Sequence, residues 1–321
     1  MKKTGLILLM MAMIADLQAQ RVLTLQQAID SALRNNLNIA IARTDVEAAA
    51  IVNHISVAGG LPTVSLAIND QEQVTAVNQK LSSGTEINRK SAAANNMQIG
   101  VTGSMLVFNG WRVVATKKRL EELQKLSETQ LAAEIQNVVA NVMISYYDVV
   151  RQEDYLNTLN YALQLAQKRL EIFQVRKEVG YANNADVFQA QIDVNTILQN
   201  IAAQQLVLSQ SKVDLIDWMD SRDTAFVIND TIVVDNTLSL EPVLDSIRRN
   251  PEVLAAEHLI RVNQQLSREI AAQRYPAVRV NAGYNFNRNQ AAAGNFLLNQ
   301  SYGPFVGLNI QVPIFNGGAT R

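Results

Sequence analysis

The residues best suited to catalysis or metal binding are few in this 321-residue chain. Its two histidines, His54 and His258, fall on predicted helices, and neither has a histidine or cysteine three or four positions away to share a metal. The chain contains no cysteine, which excludes disulfides, thiolate metal sites and a cysteine nucleophile. No nucleophile-elbow, phosphate-loop or zinc-protease motif occurs either. The sequence therefore predicts no enzyme, no metal site and no cofactor site.

Charge and the N-terminus restrict the class of protein further. The formal net charge is −1 and there is no basic stripe, so we expect no nucleic-acid partner. Lys117, Lys118 and Arg119 are expected to be solvated rather than to bind a ligand. Residues 1–19 combine two lysines, an apolar segment at 5–15 and a small-residue cleavage site, and they predict a secretory signal peptide. No later stretch has 18 consecutive apolar residues, so an exported chain of this kind can enter a membrane only with strands.

The elements that organise the chain occur twice. LTLQQAIDSALRN at 23–35 is matched by LSLEPVLDSIRRN at 238–250, and VFNGW at 107–111 is matched by IFNGG at 314–318. Between these markers, Leu61-Pro62 is matched by Tyr275-Pro276. Three markers in the same order predict a duplicated unit whose two copies differ in loop length.

Each copy is predicted to consist of a helix followed by strands. Thr24 and Gln27 have capping-box spacing, and the first helix is expected to continue to about Val57; the second begins at Ser239 and ends before Tyr275. Alternation of apolar and polar residues then predicts strands. The strand segments are 63–69, 97–107, 278–287 and 302–312, and the polar segments 70–96 and 288–301 are expected to be loops.

A very long helix is predicted after the first VFNGW. Residues 111–177 contain no glycine or proline, and they would extend roughly 100 Å at 1.5 Å per residue. Their apolar residues recur every three or four positions, which is typical of a coiled coil. Gly180 suits a left-handed helix end and Asn184 a cap for the return helix at 185–219. Residues 225–234 are interpreted as a linker with short strands.

Four strands cannot close a barrel, and open strand edges facing lipid are costly because their backbone groups are unpaired. Several chains must then share one barrel, and three chains would supply 12 strands.

These motifs resemble those of the TolC-like outer membrane efflux proteins. The resemblance covers about 21–321 and rests on LTLQQAIDSALRNN and its second copy, VFNGW, VPIFNGG, and VGYANNADVFQAQIDV after the coiled coil. It implies an α+β membrane protein in which a long α-helical coiled-coil hairpin and two β-hairpins contribute four strands to a trimeric 12-stranded outer-membrane β-barrel. It also implies a tunnel in the periplasm of a Gram-negative cell. The implied function is a passive exit duct of a tripartite efflux or type I secretion system.

The resemblance also implies partners and contact residues. The partners are further copies of the chain in a homotrimer, a periplasmic adaptor (membrane fusion) protein, an inner-membrane pump and outer-membrane lipid. The expected adaptor-contacting residues at the hairpin tip are Gly180, Tyr181, Asn184, Ala185, Asp186 and Val187. The alternative is that Gly180 and Asn184 only cap helices. The expected strand-to-helix turns are Phe108, Asn109 and Gly110, and Phe315, Asn316 and Gly317.

The resulting organisation has eight segments. They are a signal peptide at 1–19, a periplasmic helix at 20–60, a first β-hairpin at 61–108, a coiled-coil hairpin at 109–220 with its tip near 179–186, a mid-rod linker at 221–237, a second-repeat helix at 238–274, a second β-hairpin at 275–316, and the start of a second helical hairpin at 317–321. In the family a second helical pair follows VPIFNGG, and the sequence predicts only its beginning. The alternatives are a secreted coiled-coil structural or interaction protein with a soluble sheet, or a non-functional truncated efflux protein.

Overall fold

A computed structural model describes residues 21–221, 226–233, 239–294, 296–315 and 317–318. The predicted signal peptide at 1–19 and the turn residue Asn316 lie outside the described residues. The chain divides into two compact units. The first unit consists of Met1–Asp45 and Thr129–Val253, and the second of Val46–Glu128 and Leu254–Arg321.

Long helices and antiparallel strands make up most of the described chain, which is an α+β fold. In chain order the elements are β1 (Arg21–Val22), α1 (Leu25–Asn35), α2 (Leu37–Val52), β2 (Thr63–Lys80), β3 (Glu86–Phe108), α3 (Arg112–Glu178), α4 (Asn184–Met219), β4 (Phe226–Val227), α5 (Leu240–Ile247), α6 (Pro251–Ala271), a 3₁₀ turn (Ala272–Arg274), β5 (Ala277–Ala291) and β6 (Leu298–Gln311).

The helix α3 differs by one residue at each end from the sequence expectation of 111–177. In the first unit its apolar seam is buried: Val138, Val142, Tyr146 and Val149 have no exposed surface. Their spacing of three and four residues places them on one face, which packs in a core with α1 and the end of α4. The seam therefore organises the core of this unit.

The parallel pair of β1 and β4 completes the first unit. Arg21 pairs with Phe226 and Val22 with Val227, and Leu23 N donates to Val227 O at 2.9 Å. Of the two short strands expected in the linker, only Phe226–Val227 forms in the described part; residues 228–233 are not strand and Val234 is outside it. The strand that forms in the described part of the linker pairs with β1.

Each predicted repeat helix is interrupted, and the expectation of one helix from Thr24 to Val57 was wrong. The capping box at Thr24 and Gln27 is confirmed, but α1 ends at Asn35. Asn36 Oδ1 then accepts from Asn38 N at 3.0 Å and its Nδ2 donates to Trp218 O at 3.1 Å. In the second repeat, α5 ends at Ile247 and Asn250 Oδ1 accepts from Glu252 N at 2.8 Å. An asparagine side chain thus starts a new helix at both sites.

The four long strands form one antiparallel sheet in the order β2-β3-β5-β6. The loops expected at 70–96 and 288–301 were wrong, because β2 continues to Lys80, β3 starts at Glu86, β5 continues to Ala291 and β6 starts at Leu298. Paired strands satisfy each other's backbone groups whether their side chains are apolar or polar, so the ladder persists after the apolar alternation ends.

Candidate functional site

The sheet of the second unit has two chemically different faces. Its register aligns the four strands in transverse rows whose members share one face. The apolar rows are Met105, Val280 and Leu308; Val64, Gly103, Ala282 and Val306; Leu66, Val101, Tyr284 and Pro304; and Ile68, Ile99, Phe286 and Tyr302. This is the alternation expected from the sequence, now continuous across four strands.

Most of the large side chains on this apolar face are exposed, Val306 to 81%. From Val278 to Phe286 the face extends roughly 27 Å along β5 at 3.4 Å per residue. Outer-membrane barrels present an apolar band of about 25 Å to lipid. A row containing Met97, Asp70, Arg288 and Gln300 marks the end of the face. A face of this height and composition is suited to contact with lipid.

The opposite face of the sheet carries mostly uncharged polar side chains. Its rows include Asn69, Gln98, Asn287 and Ser301, and next to it Gln71, Asn96, Asn289 and Asn299. Parts of this face are closely packed. A Cβ on Gly100 would lie 2.6 Å from Asn285 Oδ1, and one on Gly283 would lie 2.8 Å from the Phe305 ring. Amide and hydroxyl groups suit a hydrated lining with little preference for the charge of a solute.

The first strand-to-helix turn is closely packed. The side chain of Asn109 accepts from Val113 N at 3.4 Å, within the first turn of α3. Gly110 has φ +68, and a Cβ there would lie 2.6 Å from both Ala272 O and Tyr275 Cβ. Both the left-handed backbone and the close approach require glycine. Phe108 ends β3 opposite Val278.

The second turn is more open. Gly317 has φ +66, and nothing lies within 4 Å of a Cβ placed there. The side chain of Phe315 is almost fully exposed. The first glycine of each copy of the motif therefore has a left-handed backbone conformation, but the surroundings of the two glycines differ.

In the first unit, the tip of the α3–α4 hairpin turns at Gly180. Gly180 has φ +85, as the sequence predicted, and Tyr181 N donates to Arg176 O at 2.7 Å. The expected cap at Asn184 was wrong: Asn183 caps α4, since its Oδ1 accepts from Asp186 N at 2.9 Å and Asp186 Oδ2 accepts from Asn183 N at 3.1 Å. Asn184 is the first residue of α4.

The six predicted tip residues lie together at this turn. Tyr181 is 86% exposed, Asn184 and Ala185 are also exposed, and Val187 is half-buried. An apolar cavity of about 790 Å³ lies between α3 and α4. Its lining includes Ala162, Leu165, Ala166, Ile172, Ala190 and Ile197. The cavity was not predicted, although small alanines at helical spacing, Ala162 and Ala166, are a sequence signal for it.

Ionic contacts fix both units internally. In the first unit, Ser211 Oγ donates to Asp148 Oδ2 at 2.7 Å and Arg151 also binds Asp148. Burial raises the pKa of Asp148, but these hydrogen bonds outweigh it, so the pKa lies below its ordinary value. Lys212 pairs with Glu153 at 2.8 Å. Charged groups on α3 and α4 therefore join the two helices.

In the second unit, one carboxylate of α3 contacts basic side chains of two helices. Glu122 Oε2 lies 3.0 Å from His258 Nδ1 and 3.2 Å from Arg261 Nε, and Glu122 Oε1 lies 2.9 Å from Lys125. Burial raises the pKa of Glu122, yet the bonds from Lys125 and His258 hold it below its ordinary value. His258 is thus a packed histidine in an ion cluster.

The expectation that Lys117, Lys118 and Arg119 are all solvated was wrong for two of them. Lys117 Nζ lies 2.6 Å from Asn53 Oδ1 and 2.8 Å from Glu121, and Arg119 Nε lies 2.8 Å from Glu269 Oε2. Lys118 is exposed. Lys117 therefore connects the start of α3 to Asn53, the residue after α2. Arg119 connects it to α6.

No helix in the described ranges combines the length and hydropathy needed to cross a bilayer. Nor do the described histidines and acidic residues form a group of three or more that could hold a metal ion.

Several known proteins are similar to this chain. Outer membrane protein TolC of Vibrio cholerae is 23% identical over 280 residues, which cover 83% of this chain and 62% of that protein. The probable efflux pump outer membrane protein TtgC of Pseudomonas putida is 22% identical over 309 residues, which cover 92% of this chain and 60% of TtgC. The chain therefore spans about 60% of the length of these curated relatives.

The same fold is found in solved structures. The CmeC outer membrane channel of Campylobacter jejuni superposes with a TM-score of 0.74 at 18% identity, over 92% of this chain and 62% of CmeC. The sequence model of the family described as outer membrane efflux protein matches residues 28–219, which is more than half of the chain. This protein therefore belongs to the outer membrane efflux protein family.

Proposed function

We propose that this protein is the outer-membrane exit channel of a tripartite efflux or type I secretion system, and that it works by passive conduction. The observation that carries the proposal is the sheet, whose register gives one apolar face and one mostly uncharged polar face. In a membrane barrel the first face contacts lipid and the second lines a hydrated passage. No bond is made or broken in this activity.

The proposed assembly is a homotrimer. Among the described strands, the outer edges of β2 and β6 have no partner. Such edges cannot face hydrocarbon, because each unpaired backbone group there costs several kcal/mol. Joining β6 of one copy to β2 of the next satisfies both edges, and three copies give a closed barrel of about 12 strands, within the range of known outer-membrane barrels.

The proposed periplasmic partner is an adaptor protein that contacts the hairpin tip and connects it to an inner-membrane pump. The tip is supported as a contact surface by the exposure of Tyr181 and by its fixed shape, since Gly180 and the Asn183–Asp186 capping box define the turn. The proposed contact residues are Gly180, Tyr181, Asn184, Ala185, Asp186 and Val187. Substrate choice is assigned to the pump, because the amide-rich face of the sheet carries few charged side chains that could select a solute.

Fractionation followed by conductance tests the channel proposal. We expect the protein in the outer membrane, as a detergent-extracted trimer by light scattering, with stable conductance steps after addition to a planar bilayer. The alternative, a secreted coiled-coil structural or interaction protein, predicts a soluble periplasmic monomer without conductance, and that result would overturn the proposal.

A photo-crosslinking residue tests the tip separately. Introduced at Tyr181, it is expected to capture a periplasmic protein in cells. The matched control is Tyr161, which is also exposed but lies about 25 Å from the end of α3 at 1.5 Å per residue. Equal capture at both positions, or none at Tyr181, would contradict the assignment of the tip.

A further inference from the structure

The first strand-to-helix turn and its counterpart in the second copy of the motif share a left-handed backbone at two aligned positions, with different residues. In the first turn, Gly110 and Trp111 both have φ +68; in the second, Gly317 and Gly318 have φ +66 and +81. The motif aligns Trp111 with Gly318. Glycine adopts this left-handed conformation without steric cost, whereas a bulky side chain there is an outlier. The first turn therefore keeps a tryptophan where its own repeat uses glycine.

Internal packing does not explain this tryptophan. Its side chain is 73% exposed, and its ring contact is an edge-to-face pairing with Phe108 at 6.2 Å between centroids. Strained residues persist where the side chain has a use, and an exposed indole points to a partner outside the unit.

The contact with Phe108 places Trp111 at the rim of the apolar face. A register shift between Leu106 and Phe108 puts Phe108 opposite Val278, which lies on the apolar face next to the row of Val280. Trp111 packs on that phenyl ring and directly precedes Arg112, the first residue of α3. It therefore lies where the strands end and the helix begins.

Other aromatic residues mark both ends of the same face. At the far end, Phe286 and Tyr302 share the last apolar row before Arg288 and Gln300. At the near end, Tyr275 packs against Gly110 and is 57% exposed. Indole and phenol rings favour the boundary between hydrocarbon and headgroups, where the ring is shielded and its polar atom reaches water.

We propose that Trp111, with Tyr275 and Arg112, anchors the protein in the phospholipid surface of the leaflet from which its helices leave. This inference rests on the proposed function, since it requires the apolar face to lie in a bilayer. The indole and phenol bind at the level of the ester carbonyls. The half-exposed Arg112 guanidinium, whose Nε lies 4.0 Å from Glu269 Oε1, reaches headgroup phosphates. The occupant is lipid because the site continues the apolar face of the sheet.

Fluorescence can test this directly, because the chain contains two tryptophans. The second, Trp218, packs against the core of the first unit. In Trp218→Phe protein reconstituted in phosphatidylethanolamine–phosphatidylglycerol vesicles, Trp111 is expected to be quenched by lipids brominated near the headgroup. Acrylamide in the water should quench it several-fold less than in the urea-unfolded chain. In the matched Trp111→Phe protein, brominated lipid should leave Trp218 emission unchanged.

Two further readouts separate the outcomes. If the protein floats with the vesicles and its sheet resists protease, but Trp111 is quenched by acrylamide and not by brominated lipid, this inference is overturned and the proposed function stands. If the protein does not insert, both are overturned. Trp111→Gly, which copies Gly318, is expected to retain the fold and to be extracted from the vesicles at a lower detergent concentration; unchanged extraction would count against the anchor.

Discussion

The two repeats place equivalent helix faces in opposite environments. In α1, Ala28 and Ala32 are fully buried against α3 and α4. Their counterparts in α5, Val243 and Ile247, are 47% and 50% exposed, and no residue of α5 is buried. The helices share a sequence pattern and an asparagine-capped break, so the difference comes from what packs on them. In the described chain a helical pair covers only α1.

In the first repeat, this helix face packs onto other helices. The small alanines of α1 allow its backbone to approach α3 and α4 closely, and larger residues keep the same face apolar in α5. Under the proposed function, the face of α5 binds a helical surface of the assembled channel.

Replacing one residue on the equivalent faces of α1 and α5 should give the largest difference in stability between two variants. Ala32→Glu buries an unpaired carboxylate in the core, and we expect a loss of about 4 kcal/mol or more in the free energy of unfolding of the first unit. Ile247→Glu at the equivalent position should change it by less than about 0.5 kcal/mol, since the side chain is half-exposed. Urea unfolding of both variants, refolded in detergent as monomers before they assemble, measures the difference. Equal losses would mean that α5 is covered as fully as α1.

The turn glycines Gly110 and Gly317, at the other end of each repeat, allow a second comparison of the two repeats. Gly110→Ala should cost about 3 kcal/mol, because the new Cβ meets Ala272 O and Tyr275 at 2.6 Å in addition to the left-handed strain. Gly317→Ala adds the strain alone, about 1 kcal/mol, since nothing lies within 4 Å. Thermal unfolding of the two variants gives the ratio; similar shifts would show that the second turn is packed like the first.

Tyr146 ties the start of the first repeat to the linker, and removing its hydroxyl should have a smaller effect. The hydroxyl lies 2.5 Å from Asp230 Oδ2 and 3.1 Å from Leu23 O. Tyr146→Phe should lower the free energy of unfolding by about 1–2 kcal/mol. Tyr147→Phe, on the next and half-buried tyrosine, is the control and should be near neutral.

Burial and the nearby Asp230 raise the pKa of Tyr146 well above its ordinary value. The folded state then holds this proton more tightly than the unfolded state. The stabilisation is complete below the pKa of an unfolded tyrosine, about 10, and is lost as the pH rises above it. The difference in stability between wild type and Tyr146→Phe should therefore narrow under alkaline conditions.

The smallest effect on stability is expected from replacing Asp148. Because the pKa of Asp148 is lowered in the folded state, its contribution to stability decreases in acid. A carboxyl with a lowered pKa in the folded state stabilises above its unfolded pKa, and that stability is lost as the pH falls. Asp148→Asn should cost about 1 kcal/mol or less at neutral pH and nothing in strong acid. Melting curves across pH, with Asp154→Asn as an exposed control on α3, measure this. If Asp148→Asn lowered the stability equally at all pH values, the ionised carboxylate would be excluded as the cause.

Patterns governed by local geometry could be read from the sequence. Alternation across 278–287 and 302–312 identified the faces of β5 and β6, and the absence of glycine and proline from 111–177 gave α3 to within a residue. The left-handed turn at Gly180 and the capping box at Thr24 could also be predicted, because few residue types satisfy the backbone at these positions.

Features decided by tertiary contacts could not be read in this way. Polar residues in 70–96 concealed strands whose pairing depends on a partner strand. Asn36 interrupts a helix because its side chain can also reach Trp218 O, a residue distant in sequence. Asn183 and Asn184 are both good caps, and only the turn geometry selects the first. Arg119 is paired because α6 brings Glu269 beside it.

Spin labels on β6 test the central claim, that the sheet has one face in lipid and one in water. The chain has no native cysteine, so single cysteines at Val306, Gly307, Leu308 and Asn309 can be labelled without background. In vesicles, labels at Val306 and Leu308 should collide frequently with oxygen and rarely with an aqueous nickel chelate. Labels at Gly307 and Asn309 should show the reverse. Low collision rates with both reagents at Val306 and Leu308, as in the interior of a soluble sheet protein, would contradict the account.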